Sequence, residues 1–92
     1  MEKNLDSVME EICSNPGVTG CLFADQNGLC IGAKGKASNE SAGLITAIAN
    51  QAAKLEPQNK APIITLENDN QTCLIKKAGA ITGAIYKDVF NT

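Results

Sequence analysis

The chain's apolar positions change period several times, and each change marks an element. Leu5, Val8, Met9 and Ile12 recur at i, i+3, i+4 and i+7, while Glu2, Asp6, Glu10 and Glu11 lie mostly elsewhere. That spacing predicts one face of a short helix. Ser14-Asn15-Pro16-Gly17 ends it, because proline disfavours helical backbone just before itself and cannot continue the helix. "VTGCLFA" (18–24) and "LCIGAK" (29–34) read as two strands joined by "DQNG" (25–28), where Asn-Gly is a strong hairpin signal. The loop "GKAS" (35–38) ends at Ser38, placed to N-cap a helix over 39–55, with Glu40 suited to its first turn.

The helix over 39–55 carries an unusually wide apolar stripe. Leu44, Leu55, Ile48, Ala52, Ile45, Ala49, Ala42 and Ala53 cover about half its circumference; Thr46, Asn50, Gly43, Lys54, Ala47 and Gln51 fill the rest. A helix packed on one surface needs a stripe of roughly 100°. The width predicts contact with two surfaces. After a linker (56–61), "APIITLE" (61–67) reads as a strand cut short by Pro62 and by the Glu67–Asn70 turn. Ile63 and Thr65 point one way, Ile64 and Leu66 the other, so neither face is cleanly polar. "QTCLIKK" and "AITGAIYK" read as two further strands around a turn near Ala78-Gly79. The predicted order is α-β-β-α-β-β-β, one α+β domain over residues 1–92.

Composition narrows the function. With three aromatic residues (Phe23, Tyr86, Phe90) and no tryptophan, the core must be thin and aliphatic. A domain of this size buries ~60–65% of its unfolded surface and gains from a partner. The net charge of −2 and the absence of a basic run longer than Lys76-Lys77 argue against nucleic acid. No apolar run is long enough to span a bilayer. The N-terminus carries neither a secretory apolar stretch nor a myristoylation glycine, which points to a cytosolic chain with reduced thiols.

Catalytic and metal chemistry find little footing. There is no histidine, which removes the commonest general base and metal ligand together. Cys13, Cys21, Cys30 and Cys73 lack any C-x-x-C pair and read as small hydrophobes, with no metal expected. In the hairpin, an Asn27-Gly28 loop sets Cys30 opposite Asp25 and a Gln26-Asn27 loop sets it opposite Phe23; neither aligns it with Cys21 for a disulfide. "CIGAKGKA" fails as a phosphate loop, with cysteine where the first glycine belongs and Ala37 where Ser or Thr belongs. Glu10-Glu11 and the pair Glu67 and Asp69 read as solvated charges. No enzyme activity and no cofactor are expected.

Three stretches resemble the roadblock family, the dynein light chain seven type. "NPGVTGCLFADQNGLCIG" (15–32) is similar to its first hairpin, "SNESAGLITAIANQAAKL" (38–55) to its central helix, and "PIITLENDNQTCLIKKAGAITGAIYK" (62–87) to its last three strands. "SAG", "QAAKL" and "LENDN" lie outside generic strand patterning and look like the family's Ragulator-complex members in particular; the first helix contributes only apolar spacing. The resemblance implies a five-stranded antiparallel sheet with the central helix on one face and the N-terminal helix on the other. It implies a non-catalytic scaffold that pairs with a second roadblock subunit through the central helix and the strand after it. It implies other Ragulator subunits and Rag GTPases as partners, and a cytoplasmic chain recruited to the lysosomal surface for amino-acid signalling to the TOR kinase. Membrane contact is then indirect, through a lipidated subunit. The alternative is a roadblock homodimer, a dynein-associated light chain or another small-GTPase regulator. On this reading the partner side comprises Leu44, Ile48, Gln51 and Leu55 of the helix and Pro62, Ile63, Ile64, Thr65 and Leu66 of the strand. Ala42, Ile45, Ala49 and Ala52 face the home sheet.

Overall fold

The computed structural model describes residues 4–55, 58 and 62–89. Helix α1 (Leu5–Cys13) is followed by β1 (Val18–Ala24), β2 (Cys30–Gly35), a 3-10 turn (Asn39–Ser41), α2 (Ala42–Ala53), β3 (Ile63–Glu67), β4 (Gln71–Ala78) and β5 (Ile81–Asp88). All five strands form one antiparallel sheet in the order β2-β1-β5-β4-β3. The predicted α+β element order is present. The last strand in sequence lies in the middle of the sheet, between the first and the fourth.

Local chemistry sets the element ends. The Asn4 side chain accepts the Ser7 N–H at 2.8 Å and caps α1. The Ser38 hydroxyl accepts the Glu40 N–H at 3.2 Å, as its position predicts, but caps the 3-10 turn that leads into α2. The hairpin differs from both predicted registers. Its loop has three residues, closed by Asp25 N–H donating to the Leu29 carbonyl at 2.9 Å. The Asp25 carboxylate accepts from the N–H groups of Asn27 and Leu29. Gly28 takes φ +84, the left-handed residue such a loop requires. Cys30 therefore opposes Ala24, and the pairing then slips by one residue so that Phe23 opposes Gly32. Ile31 is the extra residue, a bulge on the outer strand.

Side chains alternate across the sheet, so each face has its own cover. One face holds Leu22, Ala24, Ile75 and Ala84, packed under Ala42, Ile45 and Ala49 of α2. Alanines at the contact let the helix lie close, which is how a chain with so few aromatics fills its core. Thr46 is buried here too, at 5% exposure, against the expectation that it lies on the polar half of the helix. The inward arc of α2 is centred further round than its aliphatic residues alone suggest. The other face carries α1 over β1 and β2: Met9 is buried, and its methyl end fills the space above Gly32. Lys34 of β2 pairs with Asp6 at 3.1 Å and Glu10 at 3.6 Å on α1. Beyond α1, on the same face, Phe23, Leu74, Ile81 and Ile85 line an open apolar groove with Ile12 and Ile63 at its walls.

Cys21 of β1 is fully buried under α1. Its thiol lies 3.8 Å from the Met9 carbonyl and 3.6 Å from the Cys13 sulfur. Burial first, then the neighbouring Cys13, push its pKa up from 9.0 to about 12, with Lys34 opposing. The folded state thus holds a proton that the unfolded chain releases near pH 9, so this group's contribution to stability is complete below that pH and falls as pH climbs toward 12. Urea midpoints measured on the two sides of pH 9 will fall less for Cys21→Ala than for the native chain. Burial also raises Cys73 and Tyr86, and those contributions are common to both proteins. At Ile75, which is fully buried, Ile75→Ala will cost about 2–5 kcal/mol in urea unfolding.

Candidate partner interface

The outward surface of α2 is apolar and small. Leu44 is 66% exposed and Leu55, just past the helix end, 83%. Gly43, Ala47 and Gln51 are exposed as well, spaced four residues apart on one face, and a Cβ on Gly43 would meet nothing within 4 Å. The arrangement leaves a flat strip over which another helix could approach closely. Ile48 stands at its flank, half-buried against the core cluster. Toward the sheet, Ala42, Ile45 and Ala49 are buried and Ala52 half-buried. The sequence reading passed over Gly43 and Ala47. Their signal was the four-residue spacing of small side chains opposite the buried arc, masked because neither is strongly apolar.

The strand β3 forms the edge of the sheet and pairs with β4 alone among the described strands. Among the described residues its other side has no strand partner, so main-chain N–H and C=O groups face outward there, as on any edge strand. Ile64 packs inward against the same core cluster as Ile48, so the flank of α2 and the inner face of β3 meet over one layer. Leu66, 44% exposed, opposes Cys73 on that face. Ile63, 65% exposed, turns to the opposite face at the groove wall, and exposed Thr65 opposes Leu74. Pro62 is exposed immediately before the strand. The nine residues named for the partner side thus fall into a helix strip, a strand edge and two half-buried residues, Ile48 and Ile64, that each pack against the same core cluster. The linker predicted over 56–61 lies outside the described residues apart from Gln58, as does Phe90.

Electrostatics here are muted. Lys77 donates to the Asn50 side chain at 3.0 Å, fastening β4 to α2 at the side of the strip. Among the described residues no group of three or more Cys, Asp or Glu is placed to hold a metal ion. No helix among them is long and apolar enough to cross a membrane. The surface is suited to burying apolar area and pairing main chain.

A family model described as Ragulator complex protein LAMTOR5 matches residues 1–87. The chain belongs to the LAMTOR5 family of Ragulator complex proteins. Among its relatives, the Ragulator complex protein LAMTOR5 homolog of Nematostella vectensis is 39% identical over 88 residues, covering 95% of this chain and 97% of that one. The LAMTOR5 of Xenopus laevis is 36% identical over the same coverage. The architecture of this LAMTOR5-family chain is also that of the roadblock/LC7 domain from Streptomyces avermitilis. The TM-score is 0.79 over 94% of this chain and 79% of the other, at 15% identity, a likeness of fold.

For a LAMTOR5-family chain with this strip already in solvent, charging it should leave the monomer fold intact. Leu44→Asp and Leu55→Asp will each change the unfolding free energy of the isolated chain by about 0.5 kcal/mol or less in urea titration. Ile48→Asp, by contrast, will destabilise the isolated chain, because its side chain packs against the core.

Proposed function

We propose that this chain is a non-catalytic scaffold subunit of a Ragulator-like complex, built to pair with a second, different roadblock subunit. The observation that carries the reading is the joint exposure of the α2 strip and the β3 edge over one layer. An apolar edge strand invites strand addition unless something covers it. Main-chain hydrogen bonds at β3 would supply affinity, and side chains would choose the partner. The strip around Gly43, Leu44, Ala47, Gln51 and Leu55 would receive the partner's helix. Family membership supports the assembly as Ragulator. On that reading the pair helps recruit or regulate Rag GTPases at the lysosomal surface for amino-acid signalling to the TOR kinase. Its place at the membrane is indirect, through a lipidated subunit, and the chain works from the cytoplasm.

The test is native mass spectrometry of the chain alone and mixed with a candidate Ragulator roadblock subunit. The expected result is a one-to-one complex formed in preference to self-association. Leu44→Asp combined with Leu55→Asp will weaken that complex at least about tenfold, roughly 1.4 kcal/mol. Thr65→Pro, which removes an edge N–H and obstructs the ladder, will weaken it independently. A tight homodimer indifferent to the candidate would move the reading to a light-chain-like or GTPase-regulating homodimer.

A further inference from the structure

The end of α1 and the middle of β1 bring two thiols together. Cys13 and Cys21, eight positions apart, hold their sulfurs 3.6 Å from one another. The remaining cysteines are engaged elsewhere: Cys30 lies 3.5 Å from the Asn39 side chain, and Cys73 sits beside Tyr86 on the opposite face. We propose that Cys13 and Cys21 form a reversible intramolecular disulfide, fastening the end of α1 to the sheet when the chain meets a low-molecular-weight disulfide oxidant.

The geometry is close to what the bond needs. A disulfide holds its sulfurs about 2.0 Å apart, so the gap closes by roughly 1.5 Å. A small rotation of the Cys13 side chain supplies this motion. Cys13 is the last residue of α1, where the chain leaves the helix for the Ser14–Gly17 turn, so its backbone is less confined than that of Cys21. The two thiols also differ in access: Cys13 is half-buried and Cys21 fully buried. That difference sets the order of events. The Cys13 thiolate attacks one sulfur of the oxidant, forming a mixed disulfide and releasing one thiolate. Cys21 then gives its proton to that departing thiolate, and its sulfur attacks the Cys13 sulfur and expels the second, which takes up the proton that Cys13 released to water. In sum, the two protein thiols lose two hydrogens and one small disulfide becomes two small thiols. A reducing thiol pool runs the exchange backwards. The second step is the slow one, because burial holds the proton on Cys21. The pair would therefore respond to sustained oxidation and stay reduced otherwise.

The full chain is incubated with oxidised glutathione, quenched in acid, alkylated, and read by intact mass and peptide mapping. The folded chain should lose the mass of two hydrogens and yield a peptide linking Cys13 to Cys21, with Cys30 and Cys73 alkylated. In urea the same treatment should scatter the links among several pairs. In Cys21→Ala the glutathione should stay on Cys13. A folded native chain that keeps glutathione on Cys13 without forming the link, or that links Cys30 or Cys73 instead, would overturn the proposal. If Cys21→Ala does not fold, the peptide map of the native chain decides alone.

Discussion

The pairing of β1 with β5 is the constraint on which the rest of the structure depends. It joins residues more than sixty positions apart, Leu22 with Ala84 and Cys21 with Ile85. Without it the sheet would be a two-stranded hairpin, β1–β2, and a separate three-stranded meander, β3–β4–β5, and the continuous face under α2 would be lost. With it, Leu22 and Ala84 stand beside Ile75 on a continuous platform, and α2 has a surface to cover. The ladder is costly to close, since a long loop must be ordered before any contact rewards it. Its return is that both faces of the sheet then become usable. One face takes α2, and the other takes α1 over the β1–β2 side.

The division of labour between the two helices follows from that platform. α1 is held by local means, through Met9 above Gly32 and Lys34 between Asp6 and Glu10. α2 is held by a thin layer of alanine and isoleucine that leaves its far side apolar and bare. A helix fastened by small side chains lies low on the sheet, and its outer strip and the β3 edge then border one layer. The same economy that fills a core without tryptophan leaves the outer strip of α2 small, apolar and exposed.

Much of this was legible in the chain. The period of Leu5, Val8, Met9 and Ile12 and the β-formers Ile63, Ile64, Thr65 and Leu66 each act locally, and the structure follows them. The hairpin register was not legible, because it turns on one side chain: the Asp25 carboxylate closes a three-residue loop where the backbone pattern suggests two. Nor was Thr46, whose hydroxyl hides its place on the buried arc. The central position of β5 was not legible, since nothing within "AITGAIYK" says which strands flank it. The meeting of Cys13 with Cys21 depends on the angle at which α1 crosses β1, which no spacing encodes. For the candidate interface, the strongly apolar residues were visible, while Gly43 and Ala47 emerge only once the buried side is known.

The bulge at Ile31 bears on how many chains can assemble. A five-stranded sheet has two edges, and a protein that adds strands at both grows into a filament. On β2 the extra residue breaks the even spacing that a template needs. On β3 the ladder to β4 runs in register from Ile63 to Glu67 without interruption. The sheet is therefore polar in its capacity for extension, with one terminus fit for pairing and one blunted. For any union made through β3, that supernumerary residue at the far side of the molecule works against a further strand being added to the opposite edge.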